Sequence, residues 1–194
     1  MLIPRRFLLA GSTLALLAGC AALKTLSVEV RSFGQMPEGK ATYAFERLPS
    51  QQQPLSRAAD WETLAAPALA KAGLKPAPAG TQPDLIVALG ARITATALSP
   101  WDDPLWYRWN APLYHWRYGM PPRAHPLFIE RRYEREVGVL LRDRASGQAL
   151  WEARASSDGV TQGGDALMAA LFEAALADYP KANPQPHAVR VTLP

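Results

Sequence analysis

The chain of 194 residues has few of the side chains from which reactive sites are usually built. It contains one cysteine and three histidines, so it has no Cys-x-x-Cys pair and no two histidines at i, i+4 spacing. It also lacks a Gly-x-Ser-x-Gly elbow, and the glycine-rich stretch 159–164 has no lysine to make a phosphate-binding loop. We therefore predict a protein that is not an enzyme, with no catalytic residue, no metal site and no cofactor.

The single cysteine, Cys20, closes a segment that resembles a bacterial lipoprotein signal. Two arginines precede an eleven-residue apolar stretch, Phe7 to Leu17, and small residues lead into Cys20. This stretch is shorter than the roughly 20 apolar residues that a helix needs to cross a bilayer. We predict that residues 1–19 are a signal peptide and that Cys20 is lipidated. A plain secretory signal with an incidental cysteine is the alternative.

The residues beside Cys20 bear on the location of the mature chain. Two or three acyl chains on this cysteine would anchor a domain stably, whereas one chain alone holds it only marginally. Ala21 stands where lipoproteins retained in the inner membrane typically carry aspartate, so we predict the periplasmic face of the outer membrane. Because Arg5-Arg6-Phe7-Leu8 partly matches a twin-arginine signal, both that export route and the general secretory route stay open.

Removal of the signal changes the charge of the chain. The two arginines in residues 1–19 leave with it, so 19 basic residues face 17 acidic ones and the formal charge of the mature chain is +2. So small an excess does not indicate a nucleic-acid partner. The remaining 175 residues, 20–194, are enough for one domain with its own core, which we expect in the periplasm.

The mature chain shows six segments in which apolar and polar residues alternate, the pattern of half-buried strands. They are 26–31, 40–47, 84–98, 130–142, 149–155 and 189–193. Asp143 to Gly147 predicts a turn that joins the fourth and fifth of these strands as a hairpin.

Two further segments have apolar residues at helical spacing. The first predicts a helix over 57–72 that ends at Gly73, with Pro67 either kinking it or starting a shorter helix. The second runs from Met168 to about Tyr179, with Asp165 as its N-cap. The fold class is therefore α+β: a two-layer domain with a mostly antiparallel sheet of about six strands and two helices on one face.

Aromatic side chains are concentrated in a proline-rich segment at 99–126. Four of the six tryptophans and three of the six tyrosines lie there, namely Trp101, Trp106, Tyr107, Trp109, Tyr114, Trp116 and Tyr118. Rings with a broad apolar face and a polar edge suit a protein interface, a sugar or a lipid headgroup layer. The alternative is that the segment covers an edge of its own sheet.

Acidic residues and histidines give weaker signals. Glu130, Glu134 and Glu136 alternate with arginines, and we interpret them as a solvated strand face with cross-strand ion pairs rather than as a glycosidase pair. Asp102-Asp103 lacks the alternating ligands of a calcium loop. His115, His125 and His187 are expected to be surface or loop residues.

Several segments together resemble the bacterial lipoprotein family catalogued as domain of unknown function number 4136. They are the signal ending in Cys20, Thr42-Tyr43-Ala44-Phe45, Pro83-Asp84-Leu85-Ile86-Val87, the Trp/Tyr-rich loop, residues 137–143, Ser146-Gly147 and Leu150-Trp151-Glu152. Arg142 departs from the pattern, since an apolar residue is common there. The resemblance implies an envelope lipoprotein of α+β type and supplies no catalytic residues.

These observations leave three functional hypotheses. The first is a lipid-anchored, non-catalytic binding or accessory module that contacts an envelope protein or glycan through residues 101–118. The second is a structural or assembly lipoprotein whose aromatic loop covers the core. The third is an envelope glycan hydrolase, which would need a catalytic carboxylate among residues 130, 134 and 136.

Overall fold

A computed structural model describes residues 25–98 and 130–193 of the chain. The chain divides into two compact units. Of the described residues, the first unit comprises 25–91, 136–157 and 163–193, and the second comprises 92–98, 130–135 and 158–162. Within the described ranges, no helix is long and apolar enough to cross a membrane.

The sheet has seven strands in the order β3-β2-β4-β5-β6-β1-β7. The strands are β1 Thr25–Gly34, β2 Thr42–Glu46, β3 Lys75–Pro76, β4 Leu85–Leu98, β5 Glu130–Asp143, β6 Ala149–Gly159 and β7 His187–Thr192. β1 runs antiparallel to both β6 and β7, whereas β2 runs parallel to β3 and β4. β5 and β6 are joined by the short turn at 144–148 and so run antiparallel as well. The α+β class with a mostly antiparallel sheet is confirmed.

Two α-helices accompany the sheet. Helix α1, Ala58–Lys71, connects β2 to β4, which is how parallel neighbours are usually joined. It continues through Pro67 to Lys71 and stops before Gly73, whose φ of +87° is the left-handed conformation that glycine adopts most easily. The Leu74 N–H then donates to the Leu69 carbonyl at 2.9 Å, as in a Schellman motif.

Helix α2, Asp165–Ala175, differs from the prediction at its first turn. The N-cap is Gly164 and makes no side-chain capping bond, so the prediction that Asp165 is the N-cap is wrong. The Asp165 carboxylate instead lies 3.0 Å from the Arg57 guanidinium, which precedes α1. Because Lys71 and Glu173 pair at 2.6 Å near the other ends of the two helices, the helices run parallel to each other.

The core of the first unit lies on one face of the sheet, which we call the covered face. The strand residues on this face are buried and mostly aliphatic: Val28, Val30, Leu85, Val87, Val137, Val139, Leu141, Ala153 and Ala155. The buried residues of the helices include Leu69 in α1 and Leu171 and Phe172 in α2. The ring of Trp151 is buried there too, with the Tyr179 ring edge-on at a centroid distance of 5.5 Å.

The strand predictions are confirmed to within a few residues, and the structure adds two short elements. β3 is only two residues long, too short for an alternating pattern to reveal it. The second short element is a 3₁₀ helix at Pro49–Gln52, before α1. The Gln51 side chain donates to the Leu89 carbonyl at 2.7 Å and so fastens this short helix to β4.

Two carboxylates fasten the strand ends near the β5–β6 turn. Asp84 accepts hydrogen bonds from the hydroxyl and the N–H of Thr42, which hold its pKa below the usual value. Asp143 accepts from Lys40 Nζ at 2.6 Å and from the Ser146 hydroxyl at 2.8 Å, which lowers its pKa to about 2. Both groups are therefore ionised at neutral pH and hold β2, β4 and the predicted hairpin turn in register.

The described part of the second unit contains one buried guanidinium. Arg135 is 3% exposed and donates to the Thr161 carbonyl at 3.3 Å, and burial lowers its pKa although Asp158 opposes that shift. Its Nη2 lies only 2.6 Å from where a Cβ on Gly159 would stand, so a larger residue at 159 would displace the guanidinium. The interpretation of Arg135 as part of a solvated face is therefore wrong.

Candidate functional site

The face of the sheet opposite the covered face carries a groove in the first unit. Along β1 the side chains alternate, with Val28 and Val30 buried and Glu29 and Arg31 exposed. The groove has a volume of about 380 Å³, within the range of small-molecule sites. Its lining comes from β1, β5 and β6, namely Glu29, Arg31, Phe33, Glu136, Glu152, Arg154 and Ser156. We call this set the open-face groove.

The strand register places like charges side by side in this groove. Arg31 of β1 lies directly opposite Arg154 of β6 in the antiparallel ladder. Side chains in such positions have Cβ atoms about 4.5–5.5 Å apart, and like charges there are destabilising. The neighbouring pair on one side is Glu29 with Ser156, and that on the other side is Phe33 with Glu152. On a sheet face selected only for solubility, a carboxylate opposite each arginine would make the sheet more stable than a second arginine does.

The two arginines differ in their partners. Arg154 Nε lies 3.0 Å from Glu152 Oε1, two residues back on the same strand. Arg31 makes no side-chain hydrogen bond or ion pair within residues 25–98 and 130–193. The Arg154 guanidinium thus has one carboxylate beside it, whereas the Arg31 guanidinium has no such partner among the residues that the structure describes and can bind an anion from solution.

Phe33 adds an apolar surface at one end of the groove. Its side chain is 44% exposed, which is high for a phenylalanine. β1 ends at the next residue, Gly34, where a Cβ would stand 2.2 Å from the Leu150 carbonyl oxygen. Glycine is therefore required at that position, and the close approach of the two strands fixes Phe33 opposite Glu152.

A separate polar cluster lies on the covered face of β1. The buried Ser32 hydroxyl donates to Asp178 Oδ2 at 2.8 Å and accepts from the Asn183 N–H at 2.8 Å. His187 Nε2 lies 3.1 Å from Asp178 Oδ1. In a serine-hydrolase triad the histidine stands between serine and carboxylate, whereas here the carboxylate stands in the middle. This cluster fastens residues 178–187 to β1.

The predicted site residues fall in different places. Cys20, the seven aromatic residues between 101 and 118, Asp102-Asp103, His115 and His125 lie outside the described residues. Of the three glutamates, Glu134 is exposed, Glu136 lines the open-face groove, and Glu130 begins β5. Arg132 pairs with Asp158 of β6, an ion pair between these two strands.

The structure also bears on the metal-ligand types and on His187. Among residues 25–98 and 130–193, no three His, Cys, Asp or Glu side chains come together as a potential metal site. His187, expected at the surface or in a loop, is the half-exposed first residue of β7 and contacts Asp178.

Sequence reasoning did not identify the open-face groove. The alternation in β1 correctly put Glu29 and Arg31 on a polar face. Their partners come from β6, more than a hundred positions further along the chain. Which of those residues stands opposite Arg31 depends on the register of the two strands, and the polar pattern alone does not set it.

Comparisons with known proteins give a family and two structural likenesses. A family model described as "Domain of unknown function (DUF4136)" matches residues 37–181. No curated protein matches the chain.

Among solved structures, the PelC dodecamer from Paraburkholderia phytofirmans is similar at 15% identity and a TM-score of 0.46, covering 80% of this chain and 99% of that chain. A PDZ domain protein from Parabacteroides distasonis is similar at 13% identity and a TM-score of 0.49, covering 91% of this chain and 42% of that chain. At these identities and TM-scores neither likeness carries an argument about function.

Proposed function

The chain belongs to the family described as domain of unknown function DUF4136, and we propose that this protein is a lipid-anchored lipoprotein of the bacterial cell envelope that serves as a non-catalytic binding module. The anchor is the acylated Cys20, and the location is the periplasmic face of the outer membrane. The contact surfaces are the open-face groove and the aromatic residues between 101 and 118.

The start of β1 supports an anchor close to the folded domain. β1 begins at Thr25, five positions after Cys20. Five fully extended residues span at most about 18 Å. An acylated Cys20 therefore holds the start of β1 within that distance of the lipid, without a transmembrane helix.

The open-face groove is the observation that carries the binding role. The covered face is packed with buried side chains of β1, β6, α1 and α2. Its side chains therefore stabilise the fold and are not accessible to a ligand. On the open face the opposed Arg31 and Arg154 cost stability, and a cost of this kind is expected where the residues serve a partner.

Two variants near the signal test the anchor and the location. We expect Cys20→Ser to leave the membrane fraction, since no thiol remains to take a lipid. We expect Ala21→Asp to stay membrane-bound but to move from the outer to the inner membrane. Density-gradient fractionation measures both. A Cys20→Ser protein that still fractionates with the outer membrane would refute the anchor.

Alanine at Trp106, Trp109 and Trp116 separates binding from a structural role. If the aromatic segment binds a partner, crosslinkers placed at positions 106 and 116 capture that partner in cells. The triple-alanine variant then keeps its melting temperature nearly unchanged and loses the interaction. If the segment covers the core, the melting temperature falls. Turnover of purified peptidoglycan that is lost on replacing Glu130, Glu134 or Glu136 would support the hydrolase instead.

A further inference from the structure

We propose that the open-face groove binds a small zwitterionic peptide, with Arg31 and Arg154 holding its carboxylate and Glu29 holding its ammonium group. This deepens the binding role proposed above by naming the chemical class of the ligand. The inference rests on the register of β1 and β6 and on the charges that line the groove, both of which belong to the first unit.

The opposed arginines define the anion position. Arg31 and Arg154 project from adjacent strands on the same face, so both guanidiniums can reach one group placed between them. Hydrogen bonds from guanidinium to carboxylate are charge-assisted and are often bidentate. A carboxylate bound there would relieve the repulsion between the two arginines. It would also give Arg31 a partner, which it lacks within the described ranges.

The acidic residues of the groove exclude strongly anionic ligands. Two guanidiniums face three carboxylates, Glu29, Glu136 and Glu152, so the lining has a formal charge of −1. A phosphate dianion or an acidic polymer placed between the arginines would be repelled by these carboxylates. A ligand with one carboxylate and two ammonium groups has a formal charge of +1 and balances the lining instead.

The order of residues along the strands sets the order of groups in the ligand. On β1, Glu29 lies two residues before Arg31, and Phe33 lies two residues after it. Next neighbours on one face of a strand are about 6.6–6.8 Å apart, a spacing that a dipeptide can bridge between its ammonium and its carboxylate. The half-exposed Phe33 ring then offers apolar contact to a short side chain beside the carboxylate.

The test titrates the purified full-length lipoprotein, in detergent micelles, with the dipeptide lysyl-alanine and follows binding by ligand-observed NMR. We expect millimolar binding that weakens at least about tenfold for the C-terminal amide, which lacks the carboxylate, and for the Nα,Nε-diacetyl form, which lacks both ammonium groups. One lost charge-assisted hydrogen bond accounts for a change of that size. Inorganic phosphate should bind more weakly than the dipeptide.

Variants assign the effect to the groove. Arg31→Gln and Glu29→Gln should each weaken dipeptide binding about tenfold or more. Arg190→Gln is the matched control, because Arg190 is an exposed arginine of β7 that stands opposite Ser27 and does not line the groove. It should leave binding unchanged. Both groove residues are exposed, and unchanged far-ultraviolet circular dichroism would show that the variants fold.

Several results would overturn the proposal. They are no binding at millimolar dipeptide, equal binding of the amide, tighter binding of phosphate, or the same loss in Arg190→Gln. A groove occupied by a second copy of the chain would instead give dipeptide binding that weakens as protein concentration rises. Because the assay needs neither a membrane nor a lipid on Cys20, its failure is distinguishable from failure of the anchor.

Discussion

The two faces of the sheet in the first unit are built from the same strands and serve different purposes. On β1, the covered face carries Val28, Val30 and Ser32, and the open face carries Glu29, Arg31 and Phe33. Adjacent residues of one strand point to opposite sides. The covered face is therefore selected for packing with the helices, whereas the open face is free to hold an arrangement of charges that packing would not select.

The comparison shows where the stability of this fold resides and separates that face from the one on which we propose binding. Each fully buried aliphatic or aromatic side chain on the covered face removes apolar surface from water. This burial stabilises the folded state by roughly 1.5–3 kcal/mol per side chain. The ion pairs on the exposed surfaces, such as Arg154 with Glu152, contribute about 0–1 kcal/mol. Substitutions should therefore divide by face: covered-face changes alter unfolding, and open-face changes alter binding.

The largest expected effect is on the covered face. Phe172→Ala should lower the free energy of unfolding by about 3–5 kcal/mol, because it removes a fully buried ring of α2 and leaves a cavity. Urea unfolding of the purified protein measures the change. Phe33→Ala is the matched control on the open face and should cost a small fraction of that amount. Equal losses for the two variants would contradict the division between the faces.

A smaller effect is expected from the buried hydroxyl of the covered face. Ser32→Ala should lower the free energy of unfolding by about 1–3 kcal/mol, because it leaves the Asn183 N–H without its acceptor and Asp178 Oδ2 without its donor. Urea unfolding again reports the change, with the exposed Ser27→Ala of the same strand as control. A loss of the same size in Ser27→Ala, or no loss in Ser32→Ala, would show that the cluster does not fasten residues 178–187.

The covered face could be predicted from the sequence because its signals are local. Alternation identified six of the seven strands, and the helical spacing placed α1 within one residue at each end. The cluster around Ser32 could not be predicted. It joins β1 to residues near the C-terminal end of the chain, and a serine in an alternating strand has no sequence signal that distinguishes a buried position from an exposed one.

The remaining misses share a physical cause, which is that tertiary neighbours decide them. Arg142 departs from the family pattern, and its guanidinium pairs with Glu46 of β2, a residue far away in sequence. Arg135 is buried because Thr161 and Gly159 lie against it. Asp165 was expected to cap α2 but pairs with Arg57. In the sequence alone, a charged residue is most simply interpreted as exposed to solvent. The partner that it contacts is known only once the chain is folded.

The smallest expected effect is on the open face and has the opposite sign. Arg31→Gln should leave the free energy of unfolding unchanged or raise it by up to about 1 kcal/mol, because the substitution removes the charge that faces Arg154. Any gain should shrink as sodium chloride is added, since salt screens exposed charges. Urea unfolding at low and high salt measures both, with Arg190→Gln as control. A loss of stability in Arg31→Gln would mean that this guanidinium helps to hold the sheet together, and the opposed arginines would then need no ligand to explain them.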